Sequence, residues 1–195
     1  MIILIRHGQS TTNELGLLVG RSNPPLTDHG REQARRLITH LIDVREVWAS
    51  PLDRAFTTAR LALPTLEPVL KESFIEVDYG SLDGRRLDSI TDEQWHAFES
   101  DHTNPLLDGE ALSSVDARVW GELDALLEDP DSLLHRPDEH LAIVSHVSPI
   151  KSAITWALGV PGSAAWRMRI DNGSMSWLAT RRSTPALIRA NAVPL

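Results

Sequence analysis

The sequence predicts an α/β fold, a three-layer α/β/α sandwich built around a mostly parallel central sheet. Short β-branched apolar runs, which are typical of buried strands, alternate along the chain with longer segments whose apolar residues recur at helical spacing. Alternating strands and helices favour a largely parallel sheet that helices cover on both faces.

Composition places the chain among ordinary globular proteins. Its 195 residues, 42% of them apolar and 24% charged, suffice for a sizeable core, so we expect a single domain over residues 1–195. The chain has no cysteine, which excludes disulfides, thiolate metal sites and a thiol nucleophile. We expect a cytoplasmic protein, because the first residues lack a signal-peptide pattern and no apolar run approaches the ~18 residues of a membrane span.

The net charge of −8 argues against broad nucleic-acid binding, which requires a basic surface. A small anionic ligand still fits, because a local cluster of arginines can bind an anion within an acidic protein. We therefore expect neither nucleic acid nor membrane as a partner. The sequence does not indicate an oligomeric state.

Five apolar runs are predicted strands: residues 1–5, 44–50, 141–145, 175–179 and 186–190. The first predicted helix begins at Thr27, a good N-cap residue. Four apolar residues of that helix recur at i, i+3, i+4 and i+7 and form one buried face: Ala34, Leu37, Ile38 and Leu41.

Three further helices are predicted. The second begins at Ser50, an N-cap residue with Pro51 in the first helical position. Its apolar stripe comprises Leu52, Phe56, Ala59 and Leu63. The third spans residues 116–128, and the fourth opens at residues 148–149 and ends at Gly159.

Charged and imidazole side chains follow three of the predicted strands at their carboxyl ends. Arg6 and His7 follow the first strand, and His146 follows the third. Arg54 lies in the first turn of the helix after the second strand. Because ligands bind at the carboxyl ends of parallel strands, we expect these groups to converge at one sheet edge. Two helix amino termini directed at the same edge would favour an anion there.

These residue types fit the transfer of a phosphoryl group, which requires cations around its equatorial oxygens and an in-line nucleophile. Arg6 and Arg54 can supply paired donors. One histidine can attack while its ring is neutral, and the arginines help to keep it neutral. The other histidine can donate to the developing charge, and a carboxylic acid must protonate the leaving oxygen.

The stretch Arg6-His7-Gly8-Gln9-Ser10-Thr11-Thr12-Asn13 resembles the signature of the histidine phosphatases, the phosphoglycerate mutase-like superfamily. Later segments continue the resemblance in the family's order: residues 20–21, 26–27, 30–34, 50–55, 57–59, 74–80, 83–84, 109–110 and 144–146. The resemblance implies the phosphoglycerate mutase-like fold and a phosphohistidine intermediate. It implies no metal and no cofactor.

Carried over by position, the resemblance implies His7 as the phosphorylated nucleophile and Glu76 as the proton donor. The same resemblance makes Arg6, Arg54 and His146 the phosphate pocket. Further candidate contacts to the phosphate or the substrate are Gly8, Asn13, Gly20, Tyr79 and Val147. The proton donor has two rivals nearby, Asp78 and Asp83, and Tyr79 is as well suited to packing as to substrate contact.

The chain departs from the family pattern at three positions. Val147 follows the second histidine where glycine is usual, Ala111 stands where serine is usual, and Gln9 stands where many members have glutamate. None of these changes removes a catalytic group. The other histidines fit surface positions and receive no role: His29, His40, His96, His102, His135 and His140.

The segment at about residues 85–112 is expected to cover the site and to select the substrate. From Leu87 to Leu112 it holds seven acidic residues and neither lysine nor arginine. An acidic cover does not suit a phosphoglycerate mutase, which must hold a second anionic group. We therefore predict a phosphatase acting on a small phosphorylated metabolite. The alternatives are a phosphoglycerate mutase and a non-catalytic protein that binds phosphorylated ligands or other proteins.

Overall fold

The structure is a computed structural model that describes residues 1–105, 107–136, 138–181 and 184–194. In these ranges one sheet has the strand order β3-β2-β4-β1-β5-β6. Its strands are β1 (Ile2–Arg6), β2 (Val44–Ala49), β3 (Val69–Leu70), β4 (His140–Ser145), β5 (Met175–Arg181) and β6 (Thr184–Ala192).

The prediction of a mostly parallel sheet is confirmed. Strands β3, β2, β4 and β1 pair in parallel, whereas β5 and β6 add an antiparallel edge. Arg6 pairs with Ser145, and Ala49 pairs with Val144. This register brings the carboxyl ends of β2, β4 and β1 to one level, which is where the candidate site lies.

The helices are α1 (Thr11–Glu14), α2 (Asp28–Arg36), α3 (Asp53–Ala62), α4 (Asp92–Ser100), α5 (Leu112–Glu128) and α6 (Val147–Leu158). Two hydrophobic clusters lie on opposite faces of the sheet. Ile3 and Ile5 pack with residues of α3, while Ile2 and Leu4 pack with residues of α5 and α6. The alternation follows from the period of two along a strand, and it produces the three predicted layers.

Three predicted helix details are wrong. Helix α3 begins at Asp53 with Leu52 as its N-cap, because Ser50 still pairs with β4 through a hydrogen bond from its N–H to the Val144 carbonyl. Helix α5 begins four residues before the predicted start at Asp116. Ile38 is 44% exposed, because the chain tightens into a 3₁₀ turn after α2 and leaves the helical period.

Residues 85–112, which the sequence analysis expects to cover the site and which are called the covering segment below, contain α4. This helix packs onto the rest of the protein through its aromatic residues. Phe98 is buried, and its ring centroid lies 5.4 Å from that of Trp166 in the 3₁₀ segment Gly162–Arg167. The Trp95 ring lies 6.3 Å from the same tryptophan. No helix within the described ranges is long and apolar enough to cross a membrane.

Candidate active site

His7 follows β1 and is 3% exposed. Its Nδ1 lies 2.7 Å from the Gly8 carbonyl oxygen. A carbonyl oxygen can only accept, so Nδ1 carries the proton of the neutral ring. Arg54 donates from Nε to His7 Nε2 over 3.3 Å. The unprotonated Nε2 therefore carries the lone pair that a nucleophile requires, and it accepts the hydrogen bond from Arg54.

Arg54 is buried in the first turn of α3 and is held by a loop from another part of the chain. Its Nη1 donates to the Ser22 carbonyl and its Nη2 to the Gly20 carbonyl, each over 2.7 Å. The Asp83 carboxylate accepts from the N–H of Gly20 at 3.0 Å and from that of Ser22 at 2.7 Å. Asp83 therefore fixes the loop that fixes Arg54.

Arg6 and His146 complete the cluster. Arg6 donates from Nη1 to the Ile170 carbonyl over 2.6 Å, and its buried Nε has no hydrogen-bond partner among the described residues. His146 is fully buried, with Nε2 lying 2.7 Å from Ser50 Oγ. The buried Nδ1 of His146 likewise has no partner within the described ranges. The ring centroids of His7 and His146 are 5.0 Å apart.

Glu76 is 4% exposed and lies against the amino terminus of α6. Its carboxylate accepts from the N–H groups of Val77, Val147 and Ser148 at 2.9, 3.1 and 3.2 Å. The first N–H groups of a helix lack partners within the helix and suit a carboxylate. The sequence predicts that this helix terminus faces the substrate anion directly, whereas in the structure Glu76 engages it.

Burial and neighbouring cations keep both histidines neutral. Burial, followed by the charges of Arg54 and Arg6, lowers the pKa of His7 well below its usual value of 6.5. Burial and then Arg54 lower the pKa of His146 in the same way. Burial also lowers the pKa of Arg54 to about 10, which leaves this guanidinium charged at neutral pH.

The two predicted glycine contacts lie in the site but use their backbone groups to hold other residues. The N–H of Gly8 donates to Thr58 Oγ1 over 3.1 Å, and a Cβ on Gly8 would collide with the Gly30 carbonyl. Only glycine allows this close approach. Gly20 binds Arg54 and Asp83 as described above.

Asn13 lies in α1 and is linked through Asn172 to His7. Its Oδ1 accepts from the N–H of Ser10 at 3.1 Å and from Nδ2 of Asn172 at 3.2 Å. The same Asn172 amide donates to the His7 carbonyl over 3.1 Å. Asn172 received no role from the sequence, since no local pattern relates it to residues that lie far earlier in the chain.

A cavity of about 90 Å³ lies beside Glu76, and Tyr79 and Val147 form part of its wall. Burial raises the pKa of the Tyr79 phenol, and the ring packs 6.3 Å from that of Phe98. Trp95 and Trp166 complete the aromatic wall. The segment at residues 85–112 thus lines the cavity through Trp95 and Phe98.

His102, to which the sequence analysis gave no role, lies in a contact between two parts of the chain. The predicted surface position of His102 is wrong, since its side chain is 19% exposed and its Nε2 lies 2.7 Å from Asp116 Oδ2. Folding of the covering segment onto α5 creates this pair.

Within the described parts of the chain, no group of three or more His, Cys, Asp or Glu side chains could hold a metal ion.

Comparison with known proteins gives matches along nearly the whole chain. A model of the histidine phosphatase superfamily, branch 1, matches residues 2–193. Phosphoserine phosphatase 1 of Hydrogenobacter thermophilus is 28% identical over 200 residues, covering 97% of this chain and 91% of that protein. A probable phosphoglycerate mutase of Erwinia tasmaniensis is 31% identical over 195 residues, covering 92% of this chain and 88% of that protein.

Solved structures share the fold. The alpha-ribazole phosphatase of Shigella flexneri superimposes with a TM-score of 0.84 at 30% identity, covering 100% of this chain and 97% of its own. The family model spans nearly the whole chain, and the residues of the sequence resemblance meet at one sheet edge. The chain therefore belongs to the histidine phosphatase superfamily.

Proposed function

We propose that the protein hydrolyses small phosphomonoesters through a phosphohistidine formed at Nε2 of His7. The hydrogen bonding of His7 supports this most strongly, since Nδ1 donates to Gly8 and Nε2 keeps its lone pair beside Arg54. The lowered pKa of His7 keeps the ring neutral at physiological pH. A histidine that served only for packing would have no reason to direct its unprotonated nitrogen at a buried guanidinium.

In the first step, Nε2 of His7 attacks phosphorus while the bond from phosphorus to the leaving oxygen breaks. Arg6 and Arg54 balance the charge on the equatorial oxygens. Protonated Glu76 transfers its proton to the leaving oxygen, and the alcohol departs. The products of this step are a phosphohistidine and a Glu76 carboxylate.

His146 donates from Nδ1 to a phosphoryl oxygen during both steps. For that, its neutral ring must accept at Nε2, so the Ser50 hydroxyl must donate there. The backbone supports this direction, because Ser50 Oγ already accepts from the N–H of Leu52 over 3.3 Å. Its hydroxyl proton is then free for the bond to His146, over 2.7 Å.

In the second step, water attacks phosphorus and the Glu76 carboxylate accepts its proton. The bond between His7 and phosphorus breaks, inorganic phosphate leaves, and His7 is again neutral with a lone pair on Nε2. The N–H groups of Val77, Val147 and Ser148 orient the carboxylate for this role.

The cavity of about 90 Å³ is lined by Val147 and Ser148, whose N–H groups bind Glu76, so it offers space for a small leaving group next to the proposed proton donor. The names of relatives also support small phosphorylated metabolites, since one is a phosphoserine phosphatase and another a probable phosphoglycerate mutase. Because one relative is named a probable phosphoglycerate mutase, mutase activity is the alternative to hydrolysis. The acidic segment from Leu87 to Leu112 has no lysine or arginine to hold the second phosphoryl group of a bisphosphoglycerate, which a mutase requires, and this favours the phosphatase. A protein that only binds phosphorylated ligands would not need Glu76 as a proton donor.

The test is phosphoenzyme formation. His7→Ala should abolish turnover of p-nitrophenyl phosphate and the acid-labile label that the wild-type protein acquires from a radiolabelled phosphomonoester. His29→Ala, at an exposed position, should retain both. Normal labelling of the His7→Ala protein would disprove the assignment.

A product assay separates phosphatase from mutase. The protein is incubated with 3-phosphoglycerate and a catalytic amount of 2,3-bisphosphoglycerate. Release of inorganic phosphate as the main reaction supports the proposal. Formation of 2-phosphoglycerate faster than phosphate release would show that the protein is a mutase.

A further inference from the structure

Lys151 is a cation next to the site that the proposed chemistry does not use. It lies on α6, three and four residues after Ser148 and Val147, and residues at this spacing share one helix face. The N–H groups of Ser148 and Val147 hold Glu76, and all three residues of the helix line the cavity of about 90 Å³. Lys151 therefore stands on the wall where a leaving group attached to the phosphoryl oxygen would lie.

The Lys151 ammonium has neither a hydrogen bond nor an ion pair within the described ranges; its Nζ lies 5.7 Å from the centroid of the Trp166 ring. Burial lowers the pKa of Lys151, and the charge of Glu76 opposes this effect. Lys151 is half-buried and contacts the face of the Trp166 ring, and no carboxylate of the described residues pairs with its ammonium, which leaves it available to an anionic group of a ligand.

The carboxylate of Asp116, on the same cavity wall, is already engaged by other residues. Its Oδ1 accepts from the Ser152 hydroxyl at 2.5 Å, and its Oδ2 pairs with His102 Nε2 at 2.7 Å. These contacts tie Asp116 to the covering segment and to α6. Its two oxygens thus have partners other than Lys151.

The aromatic wall strengthens any ion pair formed at Lys151. Tyr79, Trp95, Phe98 and Trp166 line the same cavity and limit the access of water. Charges attract more strongly where the local dielectric constant is low. A single anionic group placed against Lys151 would therefore be bound selectively.

We propose that Lys151 forms a subsite for a carboxylate on the leaving group, so that the preferred substrates are small phosphorylated hydroxy or amino acids. This assignment rests on the proposed hydrolysis of phosphomonoesters. A carboxylate fits better than a second phosphoryl group, because one ammonium balances one negative charge and Asp116 adds another nearby. Helix α6 thus supplies the cation that the covering segment lacks.

Matched substrate pairs test the subsite. 3-Phosphoglycerate and glycerol 3-phosphate differ by a carboxylate in place of a hydroxymethyl group, and O-phosphoserine and O-phosphoethanolamine differ by the carboxylate alone. The wild-type enzyme should have the higher kcat/KM for the acidic member of each pair. Lys151→Met should reduce that preference by about 10- to 100-fold, as expected for the loss of one charge-assisted hydrogen bond.

Two variants serve as controls. Lys151→Arg keeps the positive charge and should restore part of the preference. Lys71→Met removes the only other lysine of the chain, which pairs with Glu122 over 2.6 Å outside the cavity, and should keep the wild-type preference. An unchanged preference in Lys151→Met would overturn the subsite while leaving phosphatase activity intact.

Failure of the proposed function is distinguishable from failure of the subsite. If the wild-type protein releases phosphate from no ester, calorimetry with 3-phosphoglycerate still tests Lys151. A Kd about 10- to 100-fold higher in Lys151→Met than in the wild type supports the subsite. An unchanged Kd, or no binding to the wild type, overturns it.

Discussion

His7 and His146 are chemically alike, but their hydrogen bonds make them different. The Gly8 carbonyl fixes the proton of His7 on Nδ1 and leaves Nε2 to react. The Ser50 hydroxyl contacts Nε2 of His146 instead and leaves Nδ1 free to donate. The identity of one neighbouring oxygen at each ring thus separates a nucleophile from a hydrogen-bond donor. The roles of both residues stay predictions until they are tested.

Glu76→Gln tests the proton donor at the same scale. An alkyl phosphate requires protonation of its leaving oxygen, whereas p-nitrophenolate leaves with little help. Positioned acid catalysis contributes about a hundred- to ten-thousandfold, so kcat/KM, which reports the step that breaks the bond to the leaving oxygen, should fall by about that factor on an alkyl phosphate and clearly less on p-nitrophenyl phosphate. Steady-state kinetics on the two substrates measure the difference.

Asp78→Asn is the matched control for that variant. Asp78 lies two residues from Glu76, but its side chain is 40% exposed and accepts from the N–H of Gly80 over 2.8 Å. Any loss of activity in Asp78→Asn should be the same for alkyl and aryl phosphates. If Asp78→Asn showed the leaving-group dependence and Glu76→Gln did not, the proton donor would be misassigned.

At the scale of elements, the site depends on loops that hold one another. The Arg54 guanidinium is held by the carbonyls of Gly20 and Ser22, and Asp83 holds their N–H groups. From the sequence, Asp83 is a rival for the proton donor. In the structure its carboxylate accepts from the N–H groups of that loop, so we expect Asp83 to act by positioning Arg54.

Asp83→Asn should weaken phosphate binding without changing the dependence on the leaving group. An amide nitrogen cannot accept from a backbone N–H, so the loop loses a contact and Arg54 loses a nearby negative charge. We expect kcat/KM to fall by about tenfold on alkyl and aryl phosphates alike, as for the loss of one hydrogen bond to a charged group. A loss confined to alkyl phosphates would contradict the positioning role.

At the scale of the whole molecule, the parallel strands bring distant residues together. The strand ends of β2, β4 and β1 carry Ser50, His146 and His7 to one edge, and helices on both faces bury them. Burial of two neutral histidines has a consequence for stability. Their pKa values are lowered in the folded state but are near 6.5 after unfolding.

Stability should therefore fall as the pH falls below about 6.5. In that range the unfolded chain binds protons that the folded protein does not, so the free energy of unfolding decreases with decreasing pH. At one pH unit below its pKa in the unfolded chain, each such histidine lowers the free energy of unfolding by about 1.4 kcal/mol. Urea unfolding measures the free energy of unfolding at pH 7.5 and at pH 5.5. The difference between these two values should be about 1.4 kcal/mol smaller in His146→Gln than in the wild type.

His29→Gln is the control for the stability measurement, because His29 is exposed. It should retain the wild-type difference between the two pH values. Equal pH dependence in the wild type and in His146→Gln would show that His146 binds its proton equally in both states.

Activity should also survive removal of metal ions. The proposed steps use side chains alone, with Arg6, Arg54 and His146 balancing the phosphoryl charge. Turnover of p-nitrophenyl phosphate after dialysis against EDTA should equal that of the untreated enzyme. Loss of activity that a divalent cation restores would show that a metal takes part.

The sequence by itself determined the fold class and five of the six strands described, because buried strands and amphipathic helices leave a local pattern of apolar residues. Strand β3 was missed, because it has two residues and both are exposed. The same local information, joined to the spaced motifs around His7, Arg54 and His146, indicated the family. Helix starts were less well determined. Ser50 has the features of an N-cap, but pairing with β4 keeps it in the strand, and pairing is not a local property.

Only the tertiary structure decided how these residues are used. It paired the amino terminus of α6 with Glu76, placed Asp83 behind Arg54, and set Lys151 in the wall of an aromatic cavity. Each of these contacts joins residues that are far apart in the chain and carry no shared pattern. Their geometry follows from strand register and helix packing, which is why a reading of the sequence alone leaves them open.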